Sequence, residues 1–209
     1  MSMFYEGSNH GLKHDPFKAI ITPRPIGWIS TVDADGVPNL APYSFFNAMG
    51  SRPYFLAFAS EELKDSARNA RDTGEFVFSL CTAALADAMN LSCAGVPPEV
   101  NEYDHAGLEA APCRLVKAPR VAISPASMEC KTVMAQPLTD VDGKETANYL
   151  VVGQVMAVHI DDEYITEGRF DTARAQPLAR CGYRDYATVT DVFELMRPGE
   201  QENGGRFNV

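Results

Sequence analysis

The sequence has little of what marks a nucleic-acid-binding, membrane-spanning or secreted protein. Its 209 residues carry 18 Lys and Arg against 28 Asp and Glu, a formal charge of −10, and the basic residues are scattered along the chain. Binding to a phosphate backbone needs clustered cations, which excludes nucleic acid and anionic membrane surfaces as partners. No apolar run approaches the ~18 residues that span a bilayer, and the N-terminal segment lacks a signal-peptide core. We therefore expect a cytoplasmic protein with no membrane partner.

Cysteine is sparse, and its spacing excludes a disulfide framework or a zinc site. The five cysteines form no C-x-x-C pair and no His/Cys cluster of zinc spacing, so we expect free thiols and no metal. His10 and His14 lie four residues apart beside Asp15, which is compatible with a metal pair. Their glycine-containing terminal segment disfavours that interpretation. The cysteines are Cys81, Cys93, Cys113, Cys130 and Cys181.

Common catalytic and nucleotide-binding motifs are also absent. The chain has no G-x-G-x-x-G after a strand, no P-loop, no G-x-S-x-G elbow and no H-E-x-x-H. These absences remove the usual signatures of dinucleotide-binding sheets, P-loop enzymes, serine hydrolases and zinc proteases. A function must therefore come from residues that no single short motif marks.

What is present is mainly β structure. The apolar patterns predict strands, the turn residues 33–36 join the first two in a hairpin, and residues 107–125, with three prolines, predict short edge strands and loops. A helix is expected to begin with Asp65 or Ser66 as its N-cap and to end near Thr73 and Gly74. Because strands and helices do not alternate regularly, a doubly wound sheet is disfavoured. Strands are predicted over residues 26–32, 37–40, 54–59, 75–80, 128–135 and 149–160, and a second helix over residues 82–92.

We divide the chain into a lead-in segment, one domain and a tail. The lead-in covers residues 1–17, the domain residues 18–196, and the Gly-, Asn- and Glu-rich tail residues 197–209. We expect the tail to be flexible or docked on a partner subunit.

Residues 41–48, Ala-Pro-Tyr-Ser-Phe-Phe-Asn-Ala, follow neither a strand period nor a helix period. They combine a proline, aromatic rings and hydroxyl groups between two strand-like runs. A proline-interrupted strand can present free backbone groups to a ligand, and aromatic side chains can cover a planar ring.

The stretch from Ser60 to Asn69 combines a predicted helix start with hydroxyl, amide and cationic side chains. The N–H groups of a helix start carry partial positive charge and can bind a phosphate. We assign direct phosphate contact to Lys64, Ser66 and Asn69. The carboxylate of Asp65 would repel a phosphate, so we assign it to capping or to orienting N–H groups. A capped surface helix is the alternative, and from this stretch alone it is favoured.

Together these segments resemble the flavin reductase-like FMN-binding family, the split β-barrel group that includes flavoredoxins and reductase components of two-component monooxygenases. The resemblance covers roughly residues 18–190. The matching segments are Arg-Pro-Ile at 24–26, Ile-Ser-Thr at 29–31, Asn-Leu-Ala-Pro-Tyr-Ser-Phe-Phe-Asn at 39–47, Ala-Phe-Ala-Ser at 57–60, Lys-Asp-Ser-Ala-Arg-Asn at 64–69 and Gly-Glu-Phe-Val at 74–77, with shorter matches at 101–103, 106–108, 118–120, 129–131 and 153–155.

The resemblance implies a mainly β fold: a β-barrel with flanking helices, formed as an FMN-binding split β-barrel with Greek-key-like antiparallel strands. It also implies a homodimer with FMN near the dimer interface. Residues 30–31 and 42–47 would lie along the isoalloxazine and ribityl chain, and residues 60–69 would hold the phosphate. The implied cofactor-binding residues are Ser30, Thr31, Pro42, Tyr43, Ser44, Phe45, Phe46, Asn47, Ala59, Ser60, Lys64, Asp65, Ser66 and Asn69.

The function implied is an FMN-dependent oxidoreductase that accepts hydride from NADH or NADPH and passes electrons to an acceptor, which could be a monooxygenase component. The cofactor carries this chemistry, so no side-chain triad is needed. The alternatives are a non-catalytic FMN-binding electron carrier or redox sensor, and a ligand-binding barrel without flavin. No catalytic residue is assigned. His159, near a strand end, is a weak candidate for a polar group near the nicotinamide, and a surface position is the favoured interpretation.

Overall fold

The computed structural model describes residues 2–95, 100–196 and 198. Within them, strands outnumber helices, and none of the helices is long and apolar enough to cross a membrane. The strands are β1 (Arg24–Pro25), β2 (Gly27–Val32), β3 (Pro38–Tyr43), β4 (Phe46–Ser51), β5 (Tyr54–Glu61), β6 (Glu75–Leu80), β7 (Ala110–Ala111), β8 (Arg120–Val121), β9 (Ala126–Thr139), β10 (Glu145–Ile160), β11 (Ile165–Thr166), β12 (Arg169–Phe170), β13 (Leu178–Arg180) and β14 (Tyr186–Thr188). The helices are α1 (Phe17–Ile20), α2 (Asp65–Thr73), α3 (Ala86–Leu91), α4 (Glu102–His105) and α5 (Thr172–Ala175), with short 3₁₀ turns at Ala83–Leu85 and Asp162–Tyr164.

One seven-stranded antiparallel sheet organises the fold, in the order β3-β2-β6-β9-β10-β5-β4. The long β9–β10 hairpin lies at its centre, and β3 and β4 form its two edges. Smaller sheets join β1, β13 and β14, pair β11 with β12, and pair β7 with β8. β3 and β4 follow each other in sequence but lie at opposite edges, as in a Greek-key arrangement.

The sheet curls so that its two edges approach each other. Phe46 of β4 lies against Gly27 of β2, where an added Cβ would be 2.4 Å from the ring. The same ring stacks on Phe78 of β6, with centroids 4.8 Å apart. On the other side of β4, the Ala59 N–H of β5 donates to the Phe45 carbonyl at 2.8 Å, which extends the β4–β5 pairing by one residue. These contacts enclose one core between distant strands and confirm the expected mainly β, split-barrel fold.

Strand β2 shows why the sequence pattern there is nearly all apolar. All six of its residues are buried. Trp28 packs into a cluster with Leu40, Met89 and residues of the outer layer, whereas Ile29 packs into the barrel cluster with Phe58 and others. Successive side chains of a strand point to opposite faces, so a strand covered on both faces has no polar alternation.

The prediction for the start of α2 was wrong by one residue. Lys64, with extended φ and ψ, is the N-cap, and no side chain caps this helix. Asp65 is the first helical residue, and its carboxylate forms an ion pair with Arg68 instead of capping the helix. The end at Thr73 followed by a left-handed Gly74 is as predicted.

The other predicted strands and helices are present: β3, β5, β9 and β10 extend beyond their predicted ranges, β6 matches its range and β2 begins one residue later. The predicted lead-in ends at residue 17, the first residue of α1, so this boundary falls inside the helix. The predicted tail, residues 197–209, lies outside the described residues except for residue 198. All five cysteines are free thiols.

Candidate functional site

Residues 41–48 join the two edges of the sheet. They contain the end of β3, a two-residue connection at Ser44 and Phe45, and the start of β4. Pro42, on β3, lies opposite Trp28 of β2. In the large sheet β3 pairs with β2 alone, so it is an edge strand. Proline is tolerated on an edge strand because its missing N–H faces away from the partner strand. The lack of a regular period therefore reflects a change of strand, not a disordered loop.

Two cavities lie on either side of this segment. The first, about 380 Å³, is lined by Pro42 and Tyr43 together with the start of α2. The second, about 320 Å³, is lined by residues 44–47 and by β5. The remaining lining residues of the first cavity are Asn39, Ala41, Lys64, Asp65, Ser66, Ser92, Cys93, Ala94, Gly95 and Glu102, and those of the second are Ile21, Pro23, Arg24, Pro25, Met49, Ala57, Phe58, Ala59 and Leu150.

A third cavity, about 260 Å³, shares Pro42 with the first cavity and Ser44 with the second. Its wall also contains Lys18, Arg24 and Arg180. Segment 42–47 thus contributes to the walls of three cavities. The first has polar and charged side chains on its wall and is called the polar cavity; the second is mainly apolar and is called the apolar cavity; the third has cationic side chains.

Buried polar side chains form a hydrogen-bond network at the wall of the first cavity. The Asn39 amide donates to Ser66 Oγ at 2.8 Å and to Thr31 Oγ1 at 3.3 Å. The Asn69 amide donates to Thr31 Oγ1 at 3.2 Å. This network ties β2, β3 and α2 together. Beside it, burial raises the pKa of Tyr43, against the lowering effect of the nearby Ser66 and Ser60 hydroxyls, so its phenol stays neutral at pH 7.

Two hydroxyl groups near this network have no hydrogen-bond partner among the described residues. They belong to Ser60, on β5, and Ser30, on β2, and both are buried. A buried polar group without a partner costs free energy, commonly about 1–3 kcal/mol, so it needs an explanation. A ligand group that hydrogen-bonds to Ser60 would supply one.

The sequence of residues 20–178 matches the family described as the flavin reductase like domain. The chain belongs to the flavin reductase-like family. An uncharacterized protein of Deinococcus radiodurans is 36% identical to it over 192 residues, covering 86% of this chain and 82% of that protein.

Solved structures agree with this assignment. Nitrilotriacetate monooxygenase component B from Bacillus cereus superposes with a TM-score of 0.84 at 29% identity, covering 93% of this chain and 100% of that chain. The 2-nitrobenzoate 2-nitroreductase NbaA of Pseudomonas fluorescens gives a TM-score of 0.76 at 27% identity, with coverage of 90% and 92%.

This flavin reductase-like chain brings most of the predicted site residues together. Pro42, Tyr43, Lys64, Asp65 and Ser66 line the polar cavity, and residues 44–47 and Ala59 line the apolar one. Of the other four, Asn69 lines a separate small cavity of about 60 Å³ together with Asn39, Asp65 and Glu102. Ser30, Thr31 and Ser60 lie behind the cavity walls in the buried layer.

Sequence reasoning missed several residues of the flavin reductase-like site. Asn39 lies within a matching segment, but its side chain was not assigned, although it is the donor that links Thr31 to Ser66. Glu102, on α4, lines the polar cavity and accepts from the Leu40 N–H at 3.3 Å. Burial raises the pKa of Glu102. Arg24 donates to carbonyls of residues 18, 21 and 181, which fixes the start of the domain, residues 18–21, beside the apolar cavity.

His159 lies elsewhere in the flavin reductase-like fold. It is ten residues along β10 from Tyr149, the partner of Ser60, a separation of about 30 Å. Its Nε2 is 2.6 Å from Oε1 of the buried Glu129. Within this chain it lines none of the three cavities of segment 42–47.

Cys113, Glu129 and His159 place ligand-type atoms within 4.8 Å of one another, a cluster that sequence spacing did not reveal. Hydrogen bonds account for the positions of Glu129 and His159 in this cluster. The Glu129 carboxylate accepts from the N–H groups of Arg114, Leu115 and Val116 and contacts His159. Burial alone would raise the pKa of Glu129, but these contacts lower it. Burial raises the pKa of Cys113 to about 12, so its thiol is protonated. His10 and His14 take no part in this cluster.

Proposed function

We propose that this protein binds FMN along segment 42–47 and acts as an NAD(P)H-dependent flavin reductase-like oxidoreductase. The observation that carries the proposal is that this one segment lines an apolar cavity and a polar cavity on its two sides. An isoalloxazine ring needs the first kind of surface and a phosphorylated ribityl chain needs the second.

The residues present fit FMN in three respects. Phe45 and Phe46 offer apolar surface to a planar ring. Lys64, exposed at the start of α2, offers a cation where the helix N–H groups are unpaired. Ser60 offers a buried hydroxyl without a partner.

Asp65 is the feature that opposes a phosphate in the polar cavity. Its carboxylate lies on the same wall as Lys64, but it is paired with Arg68, which offsets its charge. Ser66 and Asn69 are engaged with Asn39 and Thr31, so we propose that they shape the phosphate site through this network, with Ser66 also on the cavity wall.

Bound FMN would supply the hydride acceptor and the electron store of the reaction. The protein then has three tasks: to hold the ring, to leave one ring face open to NADH or NADPH, and to keep the phosphate fixed. None of these tasks needs a side-chain acid or base, which agrees with the lack of a catalytic triad in the sequence. Similarity to the Bacillus cereus monooxygenase component supports a monooxygenase partner as the electron acceptor.

A homodimer forms part of the proposal. Large apolar side chains are exposed on four strands of the main sheet, and exposed apolar area of this kind marks association surfaces. A second copy of the chain would cover them, and the mass of the protein in solution, measured by light scattering, tests this. The residues are Met49, Tyr54, Val133, Met134 and Met156.

Anaerobic mixing of the FMN-loaded protein with NADH and with NADPH tests the function. We expect the flavin absorbance at about 450 nm to bleach with at least one of them. If FMN binds but neither nucleotide bleaches it, the reductase assignment is wrong and the electron-carrier alternative takes its place. Protein that stays colourless after soaking with FMN would exclude a flavin site altogether. Steady-state rates with and without added FMN then distinguish a bound cofactor from an exchanging substrate.

A further inference from the structure

The largest of the described cavities lies outside the proposed flavin site. It has a volume of about 480 Å³, within the usual range of small-molecule sites. Its wall is formed by the loop before β9, the end of β10 and two arginines. The lining residues are Arg114, Arg120, Ala122, Ser124, Pro125, Ala157, Val158, His159, Ile160 and Asp161.

Arg120 is the first reason to regard this cavity as a binding site. Its Nε is buried and has no hydrogen-bond partner among the described residues. Its only other polar contact there is a long one, from Nη1 to the Ala122 carbonyl at 3.4 Å. A guanidinium presents a planar set of donors that matches a carboxylate, and an arginine without such a partner is incompletely satisfied.

Glu129 fixes the groups around Arg120. Its carboxylate accepts from the Arg114 N–H at 2.9 Å and from the Leu115 N–H at 2.6 Å, so the loop that carries Arg114 is held in place. Its contact with His159 Nε2 at 2.6 Å orients the imidazole. The lowered pKa of Glu129 keeps its carboxylate ionised, and an ionised carboxylate can only accept. The Nε2–H group of His159 therefore donates this hydrogen bond. The site is therefore built by a buried carboxylate and does not depend on chance positions of surface side chains.

The opposite wall defines the rest of the ligand. Ala157 shares a face of β10 with His159, and Ala122 and Pro125 are further apolar residues of this wall, whereas Val158 and Ile160 point to the other face of the strand. Asp161 is the carboxylate on this wall, and its Oδ1 accepts from the Glu163 N–H at 3.0 Å. An anionic group is thus favoured near Arg120 and disfavoured near Asp161, while an apolar body can contact the alanines and the proline.

We propose that this cavity binds a small organic acid, with its carboxylate on Arg120 and Arg114 and its apolar body against Ala122, Pro125 and Ala157. The ligand does not contact residues 42–47 of the same chain.

Calorimetric titration of benzoate into the full-length, FMN-loaded protein tests the site. We expect one benzoate per chain for the unaltered protein, and at least tenfold weaker binding for both Arg120→Gln and Arg114→Gln. Arg169→Gln is the matched control, because Arg169 is an exposed arginine paired with Glu194 at the surface. It should bind benzoate normally. Arg114 is exposed, so its variant remains informative if Arg120→Gln fails to fold.

Three results would overturn the proposal. The first is no benzoate heat in the unaltered protein, and the second is equal affinity in all three variants. The third is competition by inorganic phosphate or benzyl alcohol as strong as that of a second organic acid, since the site requires both a carboxylate and an apolar body. FMN affinity is measured in parallel and should be unchanged by Arg120→Gln. A loss of FMN binding in that variant would instead assign the cavity to the flavin site.

Discussion

Gly27→Ala is the substitution that best tests the contact between the two sheet edges. An added Cβ at Gly27 would lie 2.4 Å from Cδ2 and 2.5 Å from Cγ of Phe46. Carbon atoms pack at about 3.5–4.0 Å, so the ring would have to retreat by about 1 Å or more. It cannot do so freely, because it is stacked on Phe78 with centroids 4.8 Å apart.

The expected cost follows from overpacking a rigid core, about 1–3 kcal/mol in the free energy of unfolding. Urea unfolding followed by fluorescence measures it, and the single tryptophan, Trp28, is fully buried and adjacent in sequence to Gly27. Gly95→Ala is the matched control, since an added Cβ there meets nothing within 4 Å. It should change stability by less than about 0.5 kcal/mol.

A double-mutant cycle with Phe46→Ala isolates the contact. Without the ring, the added Cβ faces only the Cβ of residue 46, at 3.0 Å. The cost of Gly27→Ala should therefore fall to less than half in that background. The same cost in both backgrounds would refute the contact. Because Phe46 lines the apolar cavity, Gly27→Ala should also weaken FMN binding.

Three further predictions concern polar groups. Lys64→Gln should weaken FMN by about 1.5–3 kcal/mol and riboflavin much less, as measured by fluorescence titration, and equal losses would place the phosphate elsewhere. Ser60→Ala should leave the FMN-free protein as stable or more stable, because the buried hydroxyl has no partner there, yet weaken FMN; lower stability without flavin would contradict this. Glu129→Gln should cost about 3 kcal/mol near pH 7. The pKa of Glu129 is lowered in the folded protein, so its charge stabilises the fold above the ordinary pKa near 4.5, and this stabilisation is lost as the pH falls through the folded-state pKa. The difference in unfolding free energy between the unaltered protein and the variant should therefore shrink in acid. A difference that stays constant with pH would refute the role of the charge.

Local patterns predicted the strands and helices because those patterns report burial directly. β5 carries a nearly continuous apolar run, and β2 contains β-branched residues with only Ser30 and Thr31 polar, since both faces of each strand are largely covered. Gly74 ends α2 in the left-handed conformation that glycine adopts easily. The N-cap was misplaced because Asp65 and Ser66 are good capping residues by type, whereas the chain enters α2 through Lys64. Residue preference competes there with the path of the chain out of β5.

The sequence by itself determined the family, most strands of the main sheet and the two segments proposed to hold the flavin, since these rest on residue types at fixed spacing. It did not predict β4, which begins inside segment 41–48. Tertiary structure decided which of those residues reach a cavity. Ser66 lies on the wall of one and Asn69 on the wall of a small separate one, while Ser60 lies behind the walls, and Asn39 joins the network from another strand. It also separated His159 from segment 42–47 and joined it to Glu129, 30 residues away in sequence. Strand pairing sets these distances, and a one-dimensional pattern does not contain the pairing of β9 with β10 or the approach of β4 to β2.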